Sequence, residues 1–460
     1  MNSRESKMAN EPLFKLLLSM SLPVMLSMLM QALYNIIDSI YVSRLGTDAL
    51  TAVSLAFPIQ NLILSFSVGT GVGVSSAISI HKGSGQKEKA DKAASIGITL
   101  TFIHNLIIVL SGILFTRPFL SMFTDDPKIL HQACVYTYIV VIVSFGWMFQ
   151  ITMEKIFQGI GEMKVTMYLM AAGCLINIIL DPILIFGLLG FPALGIAGAA
   201  LATVIAQVSA TVLYVIAYLK GHYDINIRWR YMKLEKPLVK QIYGVGIPSG
   251  IMIFMPSILV SSLNAILGGI SAIHIAVLGV YYKLQTFIYM PANGLVQGMR
   301  PIIGYNFGAG NDHRVKQTIK DSLYVVLAVM VVGTLVSMII PDKIFMMFDA
   351  EPELMESGVT ALRIISTGFC ISTIGIIYSG VFEALGLGKQ SLIVSLLRQF
   401  VITVPLGFLL SKVMGVAGVW IAFPIGEIVA ALTAIKLLGR YEGGRFNIWK
   451  RERTDKNVHR

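Results

Sequence analysis

The sequence predicts an all-α integral membrane protein, with twelve transmembrane helices in two six-helix bundles related by a pseudo-twofold axis along the membrane normal. Two observations carry that prediction. The 460 residues are 55% hydrophobic and only 13% charged, about half the charge fraction of a soluble domain. The charges fall in short runs between apolar stretches long enough to cross a bilayer. The chain also repeats itself at a spacing of about 225 residues. Pro23 recurs as Pro248, Gly83 and Gly85 as Gly308 and Gly310, and Phe123 and Pro127 as Phe348 and Pro352. Phe157, Gly161 and Lys164 recur as Phe382, Gly386 and Lys389. After a slip of a few residues, Gly195 to Gln207 recurs as Gly415 to Glu427. An even number of spans per copy keeps the copies parallel, and a repeated membrane unit commonly places its substrate site between them.

The spans follow in order. Span 1 (14–42) carries Pro23, and span 2 (52–80) carries the small-residue run Gly69 to Ala77, which suits close helix contact. Span 3 (93–116) follows a basic loop. Span 4 (130–160) starts after FTDDP and ends at FQGIG, span 5 (165–189) contains NIILDP, and span 6 (194–219) opens on GIAGAA. Spans 7 to 12 (241–267, 275–303, 317–340, 358–385, 390–412 and 415–438) restate the series. Several exceed a bilayer's thickness, which implies tilt, kinks or helix beyond the membrane. The domain reading is therefore an N-terminus (1–12), a first lobe (13–219), a linker (220–240), a second lobe (241–438) and a basic tail (439–460), disordered from Arg451 on.

Roughly 25 Lys and Arg fall on one side of this layout and about 5 on the other, which makes both termini cytoplasmic by the positive-inside rule. The same rule accounts for the net charge of +11, which is spread over loops and tail with no basic groove for nucleic acid. The linker GHYDINIRWRYMKLEKP reads as an amphipathic, basic segment at the membrane surface. The acidic stretches Asp125–Asp126 and Asp349 to Glu356 then face outward. The first apolar segment is too long, and lacks the cleavage site, to be a secretory signal. Cys134, Cys174 and Cys370 show no metal or disulfide spacing. No Walker motif points to ATP and no nucleophile motif points to an enzyme. No cofactor is expected.

Charges inside spans each need a reason, because an ionised group at mid-span costs about 2.5–3.5 kcal/mol. Asp38 lies in the outward part of span 1, with Tyr34 one turn deeper. Asp181 lies in the outward half of span 5 with Asn177 on the same face at i, i+4, and Thr203 of span 6 reaches a comparable depth. Five polar groups on three helices share one level. Two carboxylates brought together hold a shared proton or a metal ion such as sodium, and Tyr, Asn and Thr oxygens complete its shell. The plainer reading has Asp38 capping a helix end and Asp181 satisfying the break at Pro182. The second copy has Leu263 at the position of Asp38 and a place near Val404 for Asp181, so the cation site is one-sided. Glu154, Lys155, Glu383 and Lys389 lie near span ends and read as snorkelling side chains. Glu427, where the first copy has Gln207, reads either as a helix–helix bond or as a cavity group. His104 reads as a packing residue. Lys283, Gln285 and Met290 of span 8, with Asn61 of span 2, are candidates for lining a substrate cavity.

These residues carry a resemblance. YNIID followed by VSRLG, FQGIG, NIILDP and MPANGLVQGMRPIIGYNFGAGN resemble the multidrug and toxic compound extrusion family, over about residues 13–440. The resemblance implies a V-shaped pair of bundles in the plasma (inner) membrane and an antiporter in which inward flow of protons or sodium drives export of amphipathic organic cations. It implies a coupling-ion site at Asp38, Asp181, Tyr34, Asn177 and Thr203, and a helix-bending role for Pro23. Its partners are then small-molecule drugs or metabolites and the lipid bilayer, and the chain acts as a monomer. A second family pattern, with carboxylates in spans 7 and 10, is not transferred: span 7 has none and Glu383 sits close to a span end. A flippase for lipid-linked substrates remains the alternative, with a membrane-embedded lipid transferase more remote.

Overall fold

The computed structural model describes residues 3–347 and 351–456, with side chains for 7–347 and 351–441. The repeat match at Phe348, the acidic residue Asp349 and the last four tail residues lie outside the described residues. No strand occurs among those described. The spans are realised as Leu13–Ser43, Thr47–Gly83, Lys87–Leu120, Pro127–Ile142 with Ser144–Gly159, Met163–Phe186, Ile196–Lys220, Lys236–Gly268, Ala272–Gly308, Asp312–Ile339, Pro352–Ser366 with Phe369–Ala384, Gly388–Met414, and a last helix from Val416. Among the described residues nine single helices are long and apolar enough to cross a membrane, and the two pairs bent by 47° and 53° raise the number to eleven. The twelfth is Ala272–Gly308, 37 residues long, whose Lys283, Gln285 and Arg300 dilute its apolar character.

Local chemistry sets the boundaries. Asp126 caps span 4, its carboxylate accepting from the Lys128 and Ile129 amides at 2.8 and 3.2 Å, with Pro127 opening the first turn. The duplication is written into the backbone. Gly85 and Gly310 both have φ +73°, Gly161 and Gly386 have +84° and +79°, and Gly195 and Gly415 have +57° and +60°. These are left-handed positions that favour glycine. Pro23 lies inside an unbroken 31-residue helix. The last helix continues to Lys456, into the first six residues of the tail expected to be disordered.

The chain divides into two compact units. The first comprises Met1–Phe254, Asn293–Asp321 and Glu383–Gly388, and the second Met255–Ala292, Ser322–Phe382 and Lys389–Arg460. The units therefore differ from the two sequence repeats, because the linker-proximal ends of spans 7 to 10 belong to the first unit.

In the first unit the helices form a ring, span 1 on span 5, 5 on 6, 6 on 4, and 4 on 2. Apolar clusters fill both ends of this ring. One gathers Ala52, Ala56, Leu120, Tyr136, Ile185 and Ala200. The other gathers Ile78, Ile96, Phe157, Tyr214 and Ile242. The polar level of the sequence lies between them. At the linker end the backbones of the two repeats meet. A β-carbon on Gly83 would collide with the Tyr305 carbonyl, and one on Gly308 with the Ile80 carbonyl. The two contacts are repeat-related, since Ile80 and Gly83 correspond to Tyr305 and Gly308.

The linker is also more structured than expected. Asp91, buried near the start of span 3, accepts from the Asn226 amide at 2.7 Å and from its side chain at 3.3 Å. Tyr218 accepts from the Ile227 amide at 2.7 Å, Lys82 pairs with Asp224 at 3.2 Å, and Lys92 with Glu235 at 2.8 Å. Ile225 is buried among the span 3 and span 4 residues. The linker is thus a docked strap with a single helical turn, Trp229–Tyr231.

In the second unit span 11 and the helix Pro352–Ser366 pack on span 12. Tyr289 donates to Ser372 at 3.0 Å and lies edge-on to Phe369 at 5.7 Å.

Candidate functional site

The ring of the first unit encloses a cavity of about 350 Å³. Tyr34 and Asp38 of span 1, Asn61 of span 2, Asn177 of span 5 and Thr203 of span 6 all line it. Asp181 does not. It is fully buried behind that wall, and its carboxyl group lies in hydrogen-bonding range of the Asp38 carboxyl. Asn177 connects the two levels. Its amide donates to Asp181 Oδ1 and to Thr203 Oγ1, both at 3.5 Å. The five residues expected at one depth therefore do converge, four on the cavity wall and Asp181 beneath it.

The remaining valences define the chemistry. Asp38 Oδ1, Asp181 Oδ2 and Asn177 Oδ1 are buried acceptors with no donor among the described residues. Buried acceptors left this way are costly. Two facing carboxyl groups and an amide oxygen would be satisfied by a proton between the carboxyls or by a small cation in their midst. No group of three or more His, Cys, Asp or Glu able to hold a metal occurs among the described residues.

Several cavity residues escaped the sequence reading. Gln31, Asn35, Gln60, Tyr136, Gln150 and Gln207 also line it, and Gln60 donates to Tyr136 OH at 3.1 Å. Neutral amides carry no insertion penalty comparable to a charge, so they raise no alarm in a sequence. Their depth was the available signal. Lys283, Gln285 and Met290 do not line this cavity. They belong to the second unit, where Lys283 is exposed and the other two are half-buried.

The snorkelling reading of Glu154, Lys155 and Glu383 is overturned. All three are buried. Lys155 Nζ donates to Glu154 at 3.1 Å, Gln158 at 2.9 Å and Gln297 at 3.0 Å. Glu383 pairs with Arg300 and accepts from Ser249 at 2.6 Å. Their positions near span ends hid partners on other helices, Gln297 of span 8 for Lys155 and Arg300 of span 8 and Ser249 of span 7 for Glu383. Glu427 pairs with Arg398 at 3.3 Å, which favours the helix–helix reading over a lone cavity acid. His104 has both ring nitrogens engaged, with Thr70 at 3.2 Å and Tyr243 at 2.8 Å, as a packing residue should.

Membrane-length helices in two repeats, with a polar cavity sunk among apolar clusters, define a multi-pass membrane transporter. The MatE family model matches residues 23–183 and 248–409, one match per repeat, and the chain belongs to this family of multidrug efflux transporters, which are not enzymes. It is 27% identical to the multidrug export protein MepA of Staphylococcus haemolyticus over 92% of each chain, and 26% identical to MepA of Staphylococcus aureus strain MRSA252 over 93% of this chain and 94% of that one. The fold superposes on an outward-facing multidrug resistance MATE family transporter with TM-score 0.89 at 25% identity, covering 96% of this chain and 98% of the other. A MATE crystal structure in a bent conformation gives TM-score 0.89 at 26% identity with the same coverage.

Proposed function

We propose that this chain is a cation-coupled antiporter that exports amphipathic organic cations, with the ion site at Asp38, Asp181, Asn177, Tyr34 and Thr203. The observation that carries the reading is the set of three orphaned acceptor oxygens on Asp38, Asp181 and Asn177. A proton or sodium ion entering the cavity meets Asp38 first and reaches Asp181 through the facing carboxyl groups of the two acids. Its binding cancels the repulsion between the carboxyl groups and draws spans 1, 5 and 6 together. Substrate and ion need only prefer opposite states for one to drive the other. Pro23, in the helix that carries Asp38, lacks an amide hydrogen and so provides a place for that helix to bend. Asn61 offers an uncharged polar contact to substrate in the same cavity. Lys283, Gln285 and Met290, on span 8, are proposed as substrate contacts within the second unit, apart from this cavity.

In this reading the two lobes, 13–219 and 241–438, are joined by the strap 220–240, both termini and the strap are cytoplasmic, and the monomer is the working unit. The concentration of Lys and Arg at that end supports the orientation. The test is export from inverted or reconstituted vesicles. Asp38→Asn and Asp181→Asn proteins that insert normally should lose ion-driven export, and undiminished transport by both would sink the assignment.

A further inference from the structure

Span 11 of the second unit contains a single π-helical turn, Leu397–Val401. Such turns insert one extra residue and recur at functional positions. Lys389 corresponds to Lys164 of the first repeat, which sets Arg398 against Gly173, a wall residue of the first unit's cavity. Arg398 follows the buried Val394 and Ser395 by four and three residues, which sets it on their face of the helix, toward span 12. There its Nε lies 3.3 Å from Glu427 Oε1, and Glu427 holds the repeat position of Gln207, a wall residue of the first unit's cavity.

The pair is only half satisfied. A guanidinium has five donor hydrogens in a flat fork, and among the described residues only Nε has a partner. On the other side Glu427 Oε2 is a buried acceptor with no donor, and so is the Tyr282 hydroxyl. Tyr281, Tyr282 and Tyr289 stand close enough to Arg398 to interact with it electrostatically. Gly375 packs beside the pair, where a β-carbon would sit 3.7 Å from Arg398 Cδ and 3.9 Å from Glu427 Oε2, in ordinary contact. An ion pair built only for structure would use both of its forks.

We infer that Arg398 and Glu427 form a recognition site in the second unit for amphoteric organic molecules, the free Nη edge of Arg398 binding a carboxylate or phosphate and Glu427 Oε2 binding an ammonium. The tyrosines supply apolar faces for the body of the ligand. This rests on the export reading above and narrows its substrate class to compounds that carry an anionic group as well as a cationic one.

Two fluorescent probes separate the contributions. Nε-dansyl-lysine and dansylcadaverine differ by one carboxylate. They are titrated against the full-length protein in nanodiscs without any ion gradient, so that a failure of the Asp38 and Asp181 assignment, which appears only in vesicle flux, leaves the result readable. The wild type should bind dansyl-lysine more tightly. Arg398→Gln should weaken dansyl-lysine by about tenfold and leave dansylcadaverine within about twofold. Glu427→Gln should weaken both. The Arg398→Gln/Glu427→Gln double variant removes the buried charge imbalance, and it should fold like the wild type while still losing the preference for dansyl-lysine. No dansyl-lysine binding to the wild type, equal loss of both probes in Arg398→Gln, or no loss of either would overturn the site.

Discussion

Asp181 is sealed from the cavity while Asp38, whose carboxyl group faces it, forms part of the cavity wall. In the proposed coupling reaction the two acids then act in series. One ion site made of two carboxyls should fail as a unit, because either acid alone lacks the charge to hold the ion. Asp38→Asn and Asp181→Asn should each lower ion-driven export at least tenfold, and the double variant should be little worse than either. Initial efflux rates in vesicles measure this. Additive losses would show two independent sites.

Asn177 holds Asp181 and Thr203 in one arrangement. Asn177→Leu removes both contacts and leaves Asp181 with no donor, an outlay of about 1–3 kcal/mol. The variant should unfold several degrees earlier and export several-fold more slowly. Thr203→Val keeps the Asn177–Asp181 contact and should be the milder change in both thermal-shift and efflux assays.

The crossed contacts Gly83–Tyr305 and Gly308–Ile80 close the linker end of the first unit. A leucine at Gly308 cannot share space with the Ile80 carbonyl. Gly308→Leu should insert normally and yet keep this end from closing. Thiol labelling of a cysteine placed at Ser79 should then rise several-fold, and efflux should fall. Labelling equal to wild type would mean that the contact yields without consequence.

Lys155 satisfies three acceptors on two repeats. Breaking one partner of such a buried network costs about 3 kcal/mol, while removing both charges costs much less. Lys155→Met should therefore lower the melting temperature clearly, and Lys155→Met/Glu154→Gln should recover most of it. Melting curves in detergent decide the matter.

The helices and the repeat were legible in the sequence because bilayer thickness sets span length and because the duplicated glycines Gly85, Gly161 and Gly195 mark the same turns as Gly310, Gly386 and Gly415. The convergence of Tyr34, Asp38, Asn177, Asp181 and Thr203 was legible too, since depth follows from helix rise and face from the i, i+4 spacing. What lay hidden was pairing. Lys155 with Gln297 and Arg398 with Glu427 join residues from different helices, Asp91 with Asn226 joins a helix to the strap, and rise along one helix says nothing about its neighbours' rotation. The seclusion of Asp181 behind Asp38 was hidden for the same reason.

The most direct test of the coupling account is substrate-stimulated ion flux in proteoliposomes, run under separate pH and sodium gradients with the wild type and Asp38→Asn. The account predicts that adding an amphipathic cation accelerates the flux of one of the two ions in the wild type and leaves the variant at the empty-vesicle rate. Equal stimulation in both proteins, or export with neither ion moving, would contradict it.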